Sequence, residues 1–134
     1  MAYENYAGGY PVSFPTGTTG LARWRFVSLT TAGNAQYSAA GGGGAVGVIV
    51  DGTTGSTSVS NTVVSVQMSG IAKVSAPAST VGIGQTVTTD ANGQIVTVTA
   101  GDVAVGVVVA GSSGGADRIM SVLLGTPAGS TATA

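Results

Sequence analysis

Thr86-Val87-Thr88-Thr89-Asp90-Ala91-Asn92-Gly93-Gln94-Ile95-Val96-Thr97-Val98-Thr99 is a pair of β-branched runs on either side of a polar turn. Thr, Val and Ile are stiff at χ1 and pack well on a pleated surface. Asn92-Gly93 supplies the positive φ values that a tight hairpin turn needs. The stretch therefore predicts an antiparallel hairpin. It also sets the class of the chain, because every other apolar-rich window is β-branched and interrupted by Gly or Pro before a helix length accumulates. No helix is predicted.

Working outward, Val103 to Val109 reads as a strand after the Gly101-Asp102 turn, and Arg118 to Leu124 reads as a final strand beyond a loop at Gly111 to Gly115. Upstream, Val64, Val66 and Met68 alternate with Ser65, Gln67 and Ser69, the pattern of a half-buried antiparallel strand. Gly70 then predicts a bulge or a bend that carries the chain between sheets, Ile71 to Val74 continues as strand, and Pro77 ends it. Ala45 to Val50 reads as a strand closed by Asp51-Gly52, after a flexible Gly41 to Gly44 tract and before a Thr/Ser/Gly-rich loop over 53–62. Arg23 to Leu29 alternates at its start, which predicts a strand with Trp24 and Phe26 on one face, followed by a turn at Gly33-Asn34.

One repeat stands out. Ala45-Val46-Gly47-Val48-Ile49-Val50-Asp51-Gly52-Thr53-Thr54-Gly55 matches Ala104-Val105-Gly106-Val107-Val108-Val109-Ala110-Gly111-Ser112-Ser113-Gly114. Two equivalent strand-and-loop units within one small β-barrel or β-sandwich account for it. The domain is placed at residues 23–124. Residues 1–22 differ: Tyr3, Tyr6, Tyr10, Phe14, Pro11 and Pro15 follow no period, which predicts an extended N-terminal arm. Residues 125–134 read as a low-complexity tail.

The 134 residues suffice for one domain without a disulfide or a metal. Aromatic residues are 5 % of the chain, so Val, Ile, Leu and Ala must build the core. Charged residues are only 7 %, against about 25 % in an ordinary soluble domain, and the net charge is −1. That cannot neutralise a run of phosphates or hold an anionic membrane, so no nucleic acid and no membrane is expected as a partner. The surface should be mostly Ser, Thr, Gly and Ala, which resists aggregation weakly unless its apolar parts are buried in an assembly. Met1-Ala-Tyr-Glu-Asn has neither the basic stretch nor the apolar core of a secretion signal, so synthesis in a cytoplasm is expected.

With no His and no Cys, the usual bases, thiol nucleophiles and zinc ligands are missing. No cofactor, metal or catalytic residue is expected. Asp51 and Asp102 are a conceivable carboxylate pair if the repeats meet, but both stand in turn contexts, where Asp bonds nearby backbone N–H groups. Gly42-x-Gly44-x-x-Gly47 matches a dinucleotide fingerprint as a string. It precedes a strand, however, instead of linking a strand to a helix. Asp90-Ala91-Asn92-Gly93 lacks the further ligands of a calcium loop. Arg23, Trp24 and Arg25 are residue types enriched in interface anchors. They fit equally a solvated strand edge with Trp24 in the core.

Gln67-Met68-Ser69-Gly70-Ile71-Ala72-Lys73-Val74, then Val81-Gly82-Ile83-Gly84-Gln85-Thr86-Val87, Thr89 to Ile95, Ala104 to Val108 and Met120 to Leu124 occur in an order that resembles the capsid decoration (cement) proteins of tailed bacteriophages. The resemblance covers roughly residues 45–124. The acid usual after the second glycine of that family is Gln85 here. The resemblance implies a homotrimer on the outer capsid face of a virion, clamping neighbouring major capsid protein subunits. Tyr3, Tyr6, Tyr10 and Phe14 would then dock on the shell or on a neighbouring subunit, since aromatic groups on an irregular arm gain by burial against a partner. The competing expectation is a receptor- or glycan-binding module of a fibre or adhesin, which requires an exposed aromatic platform beside Asp or Asn. An enzyme would rest on Asp51 or Asp102.

Overall fold

The computed structural model describes residues 11–16, 20–50, 63–77, 81–111 and 118–125. Ten strands follow in order: β1 (Val12–Pro15), β2 (Phe26–Leu29), β3 (Ala35–Tyr37), β4 (Gly47–Ile49), β5 (Val63–Gln67), β6 (Ile71–Ala76), β7 (Thr86–Thr89), β8 (Ile95–Thr97), β9 (Gly106–Gly111) and β10 (Arg118–Leu124). They form two antiparallel five-stranded sheets, β1-β5-β4-β2-β3 and β6-β10-β9-β7-β8. The all-β expectation holds, and no helix occurs among the described residues. The barrel alternative does not hold, because each sheet runs from one edge strand to another without closing.

The two strand orders are the same order. Replacing each strand of the first sheet by the strand five places later in the chain yields the second sheet. The Val/Gly repeat seen in the sequence is therefore the visible part of two complete five-stranded units. Their cores correspond side chain for side chain. Phe14, Leu21, Val27, Ala35, Ile49, Val64 and Val66 pack together in the first unit. Val74, Val81, Val87, Ile95, Val108, Met120 and Val122 occupy the matching places in the second. The registers agree: Phe14 lies opposite Val64 as Val74 lies opposite Met120, and Val12 opposite Val66 as Ala72 opposite Val122.

Local geometry repeats with the same fidelity. In the first hairpin Thr30 N–H donates to the Asn34 carbonyl at 2.8 Å, and in the second Asp90 N–H donates to the Gln94 carbonyl at 2.9 Å. A side-chain oxygen caps each turn, with Thr30 Oγ1 accepting from Asn34 N–H and Asp90 Oδ1 accepting from Asn92 N–H and Gln94 N–H. Only Gly33 and Gly93 carry positive φ in these turns, so Asn92 does not take the role the Asn-Gly pair suggested. The Asp90 carboxylate shapes a longer turn instead.

The bend expected at Gly70 is real. Gly70 has φ +84°, and the chain passes there from β5 in one sheet to β6 in the other. Gln67, 2 % exposed, braces the crossing by donating from Nε2 to the carbonyls of Ser69 and Ile71, each at 2.9 Å.

Two expectations are corrected. The strand placed at Arg23 to Leu29 begins only at Phe26, because Trp24 has φ +65° and turns the chain. Trp24 and Phe26 thus do not share a strand face. The residue at the matching place in the second unit is Gly84, φ +86°, and the two make the same bond, Trp24 N–H to Ile49 O at 2.7 Å and Gly84 N–H to Val108 O at 2.8 Å. The backbone path demands a left-handed residue, which costs a non-Gly residue about 1–2 kcal/mol. The second correction concerns the arm. Val12–Pro15 is an edge strand, where Pro is tolerated, and Leu21 is fully buried in the first core. The domain therefore reaches back past the boundary drawn at residue 23. Residues 1–10 and the tail from 126 onward lie outside the described residues.

Gly47 and Gly106 let β4 and β9 approach their neighbours closely. A Cβ at either would press on the carbonyl of Gln67 or of Leu123 respectively. Gly47→Val and Gly106→Val are each expected to destabilise the protein by about 1–3 kcal/mol in denaturant unfolding followed by circular dichroism. A loss below about 0.5 kcal/mol for either would mean that the strand pair opens without cost.

Candidate functional site

Arg23, Trp24 and Arg25 are brought together, half-buried, beside the joint between the two units. Trp24 O accepts from Ser75 N–H of the second unit at 2.7 Å. Arg25 Nη1 donates to the Asn92 carbonyl at 3.0 Å, and its guanidinium lies 5.6 Å from the Tyr37 ring centroid. The Trp24 ring carries the Arg23 guanidinium at 4.2 Å and the Lys73 ammonium at 5.9 Å, distances at which a cation is held by the ring quadrupole. Trp24 is therefore half-buried and its ring is occupied, so it offers no open platform to a sugar, while the arm tyrosines, the other platform that the glycan-binding expectation allows, lie outside the described residues. Trp24 and Arg25 thus contact the second unit, and Arg23 lies on the Trp24 ring.

A surface cleft of about 280 Å³ lies where the two units meet. Its walls come from matching loops, the β3–β4 loop with Gly42 and Val46 and the β8–β9 loop with Val103 and Val105. Met68, just after β5, and Leu124, which ends β10, complete it. Gly42 is needed because a Cβ there would run into the Val103 carbonyl, so this glycine serves the packing of one loop on the other, while Gly47 serves the close approach of β4 to β5. Met68 is 48 % and Val103 51 % exposed on the rim. An unbranched thioether beside a valine offers an adaptable apolar contact for a partner side chain. The alternation of Val64, Val66 and Met68 and the strand expected from Val103 put neither residue on the surface, yet β5 ends at Gln67, which is buried in place of Met68, and β9 begins only at Gly106. The available signal is that each is an apolar residue beside a glycine-rich turn.

The two acids among the described residues, Asp90 and Asp102, do the work of turns. Asp102 Oδ2 accepts from Thr99 N–H and from Thr99 Oγ1, both at 2.8 Å. These bonds, the backbone one first, hold the Asp102 carboxyl below its ordinary value. Asp51 lies outside the described residues, so its pairing with Asp102 is outside them too. No cluster of three potential metal ligands occurs among the described residues, and no helix among them is long and apolar enough to cross a membrane. Of the arm residues, Phe14 packs on the first unit's own core, and Tyr3, Tyr6 and Tyr10 lie outside the described residues. No protein-family model matches the chain, and no curated protein matches its sequence.

Because the folded carboxyl of Asp102 is more acidic than the unfolded one, its contribution is present above the ordinary carboxylate range and disappears as pH falls through the folded value. Wild type should melt above Asp102→Asn at about pH 7, and the gap in Tm should close by about pH 2. A gap that does not change across that range would show that the carboxylate charge plays no part in the turn.

Proposed function

We propose that this chain is a structural virion protein that binds the outer surface of a phage capsid as an oligomer, with the trimer as the expected form, and stabilises contacts between major capsid subunits. The observation that carries the reading is the cleft at the joint of the two units, with the apolar side chains of Met68 and Val103 exposed on its rim, in a chain with so few charged residues. Such a surface gains free energy by excluding water against another protein, and little desolvation of charge opposes it. The order of short motifs from Gln67 to Leu124 supports the same class. Mechanistically the effect is mass action: a molecule that binds the assembled shell and not its parts stabilises the shell, and multivalent attachment multiplies weak contacts. Tyr3, Tyr6 and Tyr10 supply further contacts to the shell or to a neighbouring subunit. Phe14 is withdrawn from that role, since its ring already packs on this chain's own core.

Mixing purified protein with undecorated tailed-phage capsids and sedimenting them tests the proposal. Saturation at a fixed number of chains per capsid is expected. Met68→Glu should weaken binding about tenfold or more, since burying such a side chain contributes about 1.5–3 kcal/mol. Deleting residues 2–10, which spares β1, should lower occupancy. Protein that stays in the supernatant at every concentration overturns the proposal.

A further inference from the structure

The joint between the units is directional. On the first unit, Phe26, Val48 and Gln67 lie side by side across β2, β4 and β5 and are at most 2 % exposed. Phe26 and Val48 are drawn into the second unit's core cluster. The second unit also lays its β7–β8 turn on this region. Gly93 seats on the Phe26 backbone, Phe26 N–H donates to the Gly93 carbonyl at 2.8 Å, and Arg25 reaches the Asn92 carbonyl.

Each half of that joint has a counterpart that is open among the described residues. The row on the second unit matching Phe26, Val48 and Gln67 is Thr86, Val107 and Leu123, again adjacent across three strands. Here Leu123 is 46 % exposed, and Ile83, close before Thr86 in the chain, is 69 % exposed. On the first unit, the turn matching Asp90 to Gln94 is Thr30 to Asn34. A Cβ on Gly33 would meet nothing within 4 Å, whereas one on Gly93 would collide with Phe26. Val12 is 47 % exposed where its counterpart Ala72 is 0 % exposed.

We propose that a second copy of this chain repeats the internal joint between molecules, with the first unit of one copy docking on the second unit of the next. The Gly33 carbonyl then accepts from Thr86 N–H of the neighbour, as Gly93 accepts from Phe26. Gln85, which stands where Arg25 stands, reaches toward the Ala32 carbonyl. The occupant is another copy because one chain displays both complementary faces, each built like a face that is already buried. Such a heterologous contact closes into a ring when its rotation permits. This deepens the self-association in the preceding proposal and stands without any capsid.

The chain has no cysteine, so introduced thiols report a single geometry. Chains carrying Ala32→Cys and chains carrying Gln85→Cys, mixed and treated with a short bismaleimide, should give a cross-linked pair containing one of each, while neither variant alone does. Sedimentation should show an oligomer that Ile83→Glu, folded by circular dichroism, dissociates with a dissociation constant raised about tenfold or more. The proposal is overturned by a monomeric wild type. It is equally overturned by no cross-link when both thiols react with a maleimide dye, or by the same yield when Ala100→Cys replaces Ala32→Cys. All readouts are taken without shells, so an oligomer that ignores capsids sinks the capsid proposal and leaves this one intact.

Discussion

The seat of Gly93 on the backbone of Phe26 is the contact on which the rest of the molecule depends. No side chain fits there, and the carbonyl of Gly93 satisfies an amide that β3 does not reach. An unpaired buried N–H is costly, so the turn both fills space and answers a donor. Around it gather Gln94, whose Nε2 donates to Ser75 Oγ at 2.9 Å, and the Ser75 amide, which donates to Trp24 O. Two units that each hold a modest core thereby become one body.

The joint also explains the odd chemistry of residues 23–25. Trp24 keeps a backbone conformation that its counterpart reaches with glycine. Its ring is then clasped by Arg23 and Lys73, one cation from each unit, and those contacts offset part of the strain. Three of the four cations of the chain, Arg23, Arg25 and Lys73, gather at this seam, and the fourth, Arg118, donates to the Val81 carbonyl within the second unit. The charged groups that do face outward among the described residues include the Asp90 and Asp102 carboxylates, each engaged in its own turn, and a surface so poor in charge suits the proposed role as a clip between proteins.

Much of this was legible in the residues. The Thr86 to Thr99 hairpin, the bend at Gly70, the stop at Pro77 and the last strand from Arg118 to Leu124 all follow from local chemistry, and all occur. The Ala45/Ala104 repeat announced two equivalent units, but its extent was hidden. Core partners such as Phe14 and Val74, or Ala35 and Ile95, conserve place and not identity, and a core accepts different apolar shapes at one position. β1 and β3 were missed because Val12–Pro15 is bracketed by prolines and Ala35–Tyr37 is short, so neither shows a period. The left-handed Trp24 was unreadable, since only tertiary bonds from Ile49 and Ser75 hold it there. The cleft was unreadable for the same reason: Met68 and Val103 are remote in sequence and meet only because the units do.

The link from Gln67 to Ile71 spans roughly 14 Å even if fully drawn out. Free, identical halves would be at liberty to pair face to face about a two-fold axis, each giving what it receives. A tether this brief denies them that choice, and Gln67 locks it by clasping Ser69 and Ile71. The molecule consequently has a front and a back, a polarity that covalent connectivity imposes and the Gln67 bonds hold.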